Sequence, residues 1–176
     1  MSSDSHRIFP IKKMTTLTVF TAIALGISVA ESCFPPLVPI PGIRLGLANI
    51  VTLILLLYYK PHETFLVLIM RIFLSAFFAG QAMSLAYSLT GGIFCFLVML
   101  CLNRFLSGHC IYLTSIFGAL AHNAGQLLTA FLFTGSSAVA LYIPLLTISG
   151  IITGLFTGLS AHYLRKYLMP HIMKNR

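Results

Sequence analysis

The sequence predicts an all-α polytopic membrane protein, a compact bundle of six transmembrane helices with both termini cytoplasmic. Three observations lead there. First, 58% of the 176 residues are hydrophobic and only 8% are charged, with a mean hydropathy of +0.96. A soluble domain carries about 25% charged residues and needs them on its surface. Second, Asp4, Glu31 and Glu63 are the only carboxylates, too few to clothe a water-facing surface. Third, apolar runs near 20 residues recur, the length that crosses a ~30 Å hydrocarbon core at ~1.5 Å per residue.

The predicted spans run from Met14 to Phe34, Ile43 to Tyr59, Glu63 to Gln81, Ser84 to Leu102, Ile111 to Thr134 and Val139 to Tyr163. Residues 1–13 form a cytoplasmic N-terminal segment, 14–163 the membrane domain and 164–176 a basic cytoplasmic tail. The first span follows basic residues as a signal peptide would, but is too long for one and is followed by five more. Pro35, Pro36, Pro39, Pro41 and Gly42 punctuate the first connection. Lys60 and Pro61 mark the second, Asn103 to His109 the fourth, and Gly135 to Ser137 the fifth. The third break, near Gly80 to Met83, is the least marked; a continuous helix there would leave five spans.

Charge asymmetry orients the chain. With the N-terminus inside, the cytoplasmic face holds Arg7, Lys12, Lys13, Lys60, Arg104, Arg165, Lys166, Lys174 and Arg176, nine of the 11 Lys and Arg. The outer connections hold none, which satisfies the positive-inside rule for an even number of spans. This basic excess reads as topology and contact with anionic lipid, not as a nucleic-acid surface.

Two arginines, Arg44 and Arg71, fall within spans. Ionisable groups in lipid are costly and face a cavity or a partner. Arg71 lies eight residues past Glu63, ~12 Å along its helix and close to the midplane. His122, Asn123 and Gln126 lie at similar depth in the fifth span, with His122 and Gln126 on one face. Arg44 and Asn49 descend from the outer end of the second span. Ser84, Tyr87, Ser88 and Gly91 share a face of the fourth. Glu31 ends the first span and Gln81 the third. These groups converge on the outer half of the bilayer, the arrangement of a pocket that opens outward for an anionic or strongly acceptor-rich ligand. Arg44, Asn49, Arg71, His122, Asn123 and Gln126 are the candidate binding residues, with Glu31 and Gln81 at the mouth. The structural alternatives are an Arg71–Glu31 pair, interhelical hydrogen bonds, and snorkelling of Arg44 to the interface.

Small residues four apart occur twice, as Ala22, Gly26 and Ala30 in the first span and Gly150, Gly154 and Gly158 in the sixth. Such stripes let helices approach closely in lipid, within the chain or against another membrane protein. Other chemistries are missing. No CxxC joins any of the four cysteines, no histidine motif holds a metal, and no P-loop or aspartate-rich magnesium motif is present. No catalytic residue, metal or cofactor is therefore expected.

The stretches PGIRLGLAN (41–49), SLTGG (88–92) and GALAHNAGQ (118–126), set in six short spans, resemble the Gx transporter family, also described as heptaprenyl diphosphate synthase component I. That family in turn is similar to the substrate-binding S components of energy-coupling factor transporters. The resemblance implies a six-helix fold with an outward pocket for a vitamin, flavin, or quinone or isoprenoid precursor. It also implies partners: a transmembrane coupling subunit docked on Ala22, Gly26 and Ala30, driven by ATPases. The proline-rich loop would be a lid. The other description implies an accessory subunit of a prenyl-diphosphate synthase. A membrane scaffold is a third possibility.

Overall fold

In a computed structural model, the structure describes residues 5–33, 43–80, 82–106 and 110–168. Helix α1 spans Ser5–Ser32, α2 Asn49–Tyr58, α3 Pro61–Ala79, α4 Ala82–Phe105, α5 Ile111–Thr134 and α6 Ile143–Tyr163. A 3₁₀ turn, Ser137–Tyr142, leads into α6, and a π-helical turn, Leu164–Leu168, follows it. Among the described residues there is no strand. Five of the helices are long and apolar enough to cross a membrane. The chain is a compact, multi-pass, all-helical membrane protein.

The helix ends follow local chemistry. Pro61 opens α3, where its missing N–H costs nothing. The Glu63 carboxylate accepts the Lys60 N–H at 3.2 Å and pairs with Lys13 of α1. Gly80 closes α3 in a left-handed conformation (φ 63°), so the faintest break in the sequence is a true turn between two helices. Gly135 (φ 62°) closes α5 in the same way. Thr15, Thr16, Thr18 and Thr21 give their hydroxyl protons to carbonyls four residues back, at 2.8–3.0 Å. A polar side chain on a lipid-facing helix is thereby satisfied locally.

The second helix departs from the predicted span. Its sequence, NIVTLILLLY, is apolar on every side, which marks a fully enclosed helix. It is the hub of the bundle and touches each of the other five helices. Leu53, Ile54 and Leu55 are almost fully buried there, packed with Leu68, Ile72, Cys95 and Met99. Yet α2 has only ten residues, ~15 Å at the usual rise. Residues 43–46 enter as irregular backbone, and Gly46 takes φ +81°. The expected continuous helix from Ile43 is thus a half-span with a non-helical entry, because Gly46 turns the chain out of the helical region.

The long helices surround this hub. Helices α4 and α5 pack along their length, as do α5 and α6, while α1 leans on α3. Their outer faces carry large apolar side chains such as Phe77 (86% exposed), Leu132, Ile152 and Phe156, the composition of a lipid contact.

The two small-residue stripes have opposite environments. Gly150, Gly154 and Gly158 face α5, where an added Cβ would lie 2.6 Å from the Ile116 Cα at Gly154 and 3.2 Å from the Tyr112 Cα at Gly158. That stripe holds α5 against α6 inside the chain. Ala22, Gly26 and Ala30 are exposed on α1, and a Cβ on Gly26 would meet nothing within 4 Å.

Candidate functional site

Irregular backbone at membrane depth must find partners other than water. Here the predicted polar residues supply them. The Arg44 N–H donates to Gln126 Oε1 at 3.3 Å, and the Gly46 N–H donates to Glu31 Oε1 at 2.5 Å. The first turn of α2 is closed by backbone bonds from Asn49, Ile50 and Val51 to the carbonyls of Gly46, Leu47 and Ala48. Glu31 and Gln126, from two different helices, therefore hold the broken segment in place.

Around that break lies a buried polar cluster. Arg71 Nη2 donates to Asn49 Oδ1 at 2.7 Å, and both residues are buried. Arg44 Nη1 donates to Ser75 Oγ at 2.7 Å and reaches Ser28 Oγ at 3.5 Å. Gln126 Nε2 and His122 Nε2 lie 2.9 Å apart, one turn apart on α5. His122 occupies space left by two glycines: a Cβ on Gly46 would lie 2.8 Å from its Cδ2, and one on Gly91 2.8 Å from its Nδ1. Gly125 lies against the Gly91 backbone, which brings α4 close enough to α5 to enclose the ring. Thr90 and Thr129 bridge the same two helices by a 2.5 Å hydroxyl contact.

Five of the six predicted binding residues, Arg44, Asn49, Arg71, His122 and Gln126, thus meet in one cluster with Glu31. Asn123 is turned away. Its amide donates to Leu146 O at 2.7 Å and reaches Ser149 Oγ at 3.5 Å, tying α5 to α6. Gln81 and the proline-rich segment proposed as a lid lie outside the described residues. Ser84 and Tyr87 are buried, each 1% exposed, on the face of α4 predicted to approach the site.

Ser28 and Ser75 were not singled out from the sequence, although a signal was present. Ser75 stands four residues after Arg71, and Ser28 three before Glu31, so each shares a helix face with a residue that was.

The charge balance of the cluster is uneven. Two guanidiniums face one carboxylate. The ion pairs among the described residues involve Glu63, with Lys13 and with His62, so neither arginine has a carboxylate of the described residues within 4 Å. Their hydrogen bonds go to neutral oxygens, while Glu31 is engaged by backbone. Arg71 Nε, Asn49 Nδ2 and Ser84 Oγ are buried without a hydrogen-bond partner. A site of this kind can bind an anion and orient it with amide and hydroxyl donors. Among the described residues no three His, Cys, Asp or Glu side chains gather as metal ligands.

No curated protein matches the chain, and no solved structure does. The family model described as heptaprenyl diphosphate synthase component I matches residues 20–164, a stretch that includes all five long apolar helices in whole or part and the entire polar cluster. The chain belongs to the heptaprenyl diphosphate synthase component I family.

Proposed function

We propose that this membrane protein binds a small anionic metabolite in a pocket opening to the outer face and serves its uptake, in the manner of the S components of energy-coupling factor transporters. Arg44 and Arg71 would meet the anionic group; Asn49, His122 and Gln126 would set its orientation. Asn123 would support them by fixing α5 on α6, and Gln81 would stand at the mouth. The observation that carries this reading is the surplus positive charge. An unpaired ion inside a protein in lipid costs several kcal/mol, and a ligand anion would remove that cost.

Both termini would be cytoplasmic in a cell membrane, with residues 14–163 spanning it and 164–176 as a basic tail. The chain has no nucleotide-binding motif, so energy for transport would come from a partner. The exposed stripe Ala22, Gly26 and Ala30 is the face we assign to a transmembrane coupling subunit with its ATPases, because nothing among the described residues covers it. The ligand class spans vitamins, flavins, and quinone or isoprenoid precursors. No catalysis is assigned to the chain.

The test is native mass spectrometry of the gently purified full chain. Wild type is expected to retain a small molecule that the Arg71→Ala variant loses while still inserting in the membrane. Retention by the variant would refute the site. The family description supports a second role, as the membrane subunit of a heptaprenyl diphosphate synthase. That role predicts co-purification of a soluble synthase, lost when Arg104, Arg165 and Lys166 are altered together and indifferent to Arg71.

A further inference from the structure

The start of α2 has the parts of an anion seat in the middle of the bundle. The helix runs for ten residues, and its N-terminal end carries partial positive charge. The Gly46 N–H, just before it, donates to Glu31 at 2.5 Å, and the Leu47 N–H points at the same carboxylate. A helix end alone is only a capping site. Here two buried donors beside it lack partners: Asn49 Nδ2, on a residue 3% exposed, and Arg71 Nε, on a residue 6% exposed. The Asn49 amide nitrogen stands 2.8 Å from where a Cβ of Gly46 would be, so the missing side chain is what lets this donor lie against the start of α2.

We propose that this is a carboxylate seat, that Glu31 is its resident occupant, and that the ligand displaces Glu31 with a carboxylate of its own. This rests on the binding role proposed above and narrows its ligand to a monocarboxylate class. The present occupant supplies the size argument, since a carboxylate fits. Charge supplies the second. Arg44, Arg71 and Glu31 leave one positive charge in excess, which one monoanion neutralises. A phosphate dianion would overshoot this single charge, and where Glu31 is removed and the excess rises to two, its tetrahedral bulk still exceeds the planar carboxylate that the seat holds. In its seat Glu31 lies within electrostatic reach of both guanidiniums.

The experiment uses the full chain in lipid nanodiscs, with thermal unfolding as readout and sodium formate as probe. Sodium chloride and inorganic phosphate at equal ionic strength are the comparisons. Glu31→Ala empties the seat and lowers the unfolding midpoint. Formate should then raise it saturably, by at least half of what was lost, while chloride and phosphate do less and wild type does not respond. Adding Arg71→Met to Glu31→Ala should remove the formate effect. Should Glu31→Ala fail to fold, Glu31→Gln keeps an acceptor for the Gly46 N–H and raises the excess charge to two, so a formate response absent from wild type is expected there. A variant that formate stabilises no better than chloride overturns the seat. Stronger rescue by phosphate overturns the carboxylate class. Either failure, alongside a retained molecule lost in Arg71→Ala, leaves the binding role standing. Formate rescue without any retained molecule removes the binding role, and with it the displacement of Glu31 by a ligand.

Discussion

Gly46 is the residue on which the break before α2 depends, and its replacement by alanine is expected to be severe. At φ +81° an L-residue is strained, a cost of ~1–2 kcal/mol. The new Cβ would also lie 2.8 Å from Asn49 Nδ2 and 2.8 Å from His122 Cδ2. Neither neighbour is free to move: Asn49 is held by Arg71 at 2.7 Å, and His122 by Gln126 at 2.9 Å. Overpacking against held side chains adds about 1–3 kcal/mol. The sum is roughly 2–5 kcal/mol, at the upper end of what a single substitution does. The matched control is Gly26→Ala on α1. There the Cβ meets open space, and alanine in a helix interior gains ~0.5–1 kcal/mol over glycine. Both variants can be unfolded reversibly in mixed detergent–dodecyl sulfate micelles and followed by circular dichroism. Loss of less than ~1 kcal/mol in Gly46→Ala, or a loss equal to it in Gly26→Ala, would refute the assigned role of the break.

The same titration checks three smaller effects. Gly154→Ala places a Cβ 2.6 Å from the Ile116 Cα, so an overpacking cost of about 1–3 kcal/mol should exceed the helical gain and leave a net loss. Asn103→Ala removes the 3.1 Å bond from its amide to Leu56 O near the end of α2, with an expected cost near ~1 kcal/mol. Lys13→Ala breaks the ion pair with Glu63, but that lysine side chain is 37% exposed, so the loss should stay below about 1 kcal/mol and shrink as salt is added.

Much of this architecture was legible because lipid is an exacting solvent. Span α5 has the limits its hydropathy predicts, Ile111–Thr134. Arg44, Arg71, His122 and Gln126 converge because polar groups from different helices have few other places to go. The second span was misread for a physical reason: Ile43, Leu45, Leu47 and Ala48 are as apolar as a helix, and hydropathy does not register a change in φ at one glycine. The two stripes were also indistinguishable, since four-residue spacing reports a shared face and not what covers it. Asn123 differs. One residue past His122 is a rotation of ~100° on a helix, so its turn toward α6, away from Gln126, follows from the helical wheel.

The break and the excess charge are two sides of one arrangement. Non-helical backbone between residues 43 and 46 leaves amide groups that lipid cannot serve. Glu31 and Gln126 serve them, and by doing so Glu31 gives its hydrogen bond to backbone and keeps only a through-space attraction to the arginines. A continuous α2 would need no such service, and Glu31 would then be free to neutralise Arg71. The chain instead keeps a strained glycine, two guanidiniums on neutral oxygens and unpartnered donors in the same small volume. Each feature lowers stability, and an apolar core would avoid them all. Costs that cluster at one place, beside a core otherwise packed with leucine and isoleucine, are what the proposed binding role accounts for and folding alone does not.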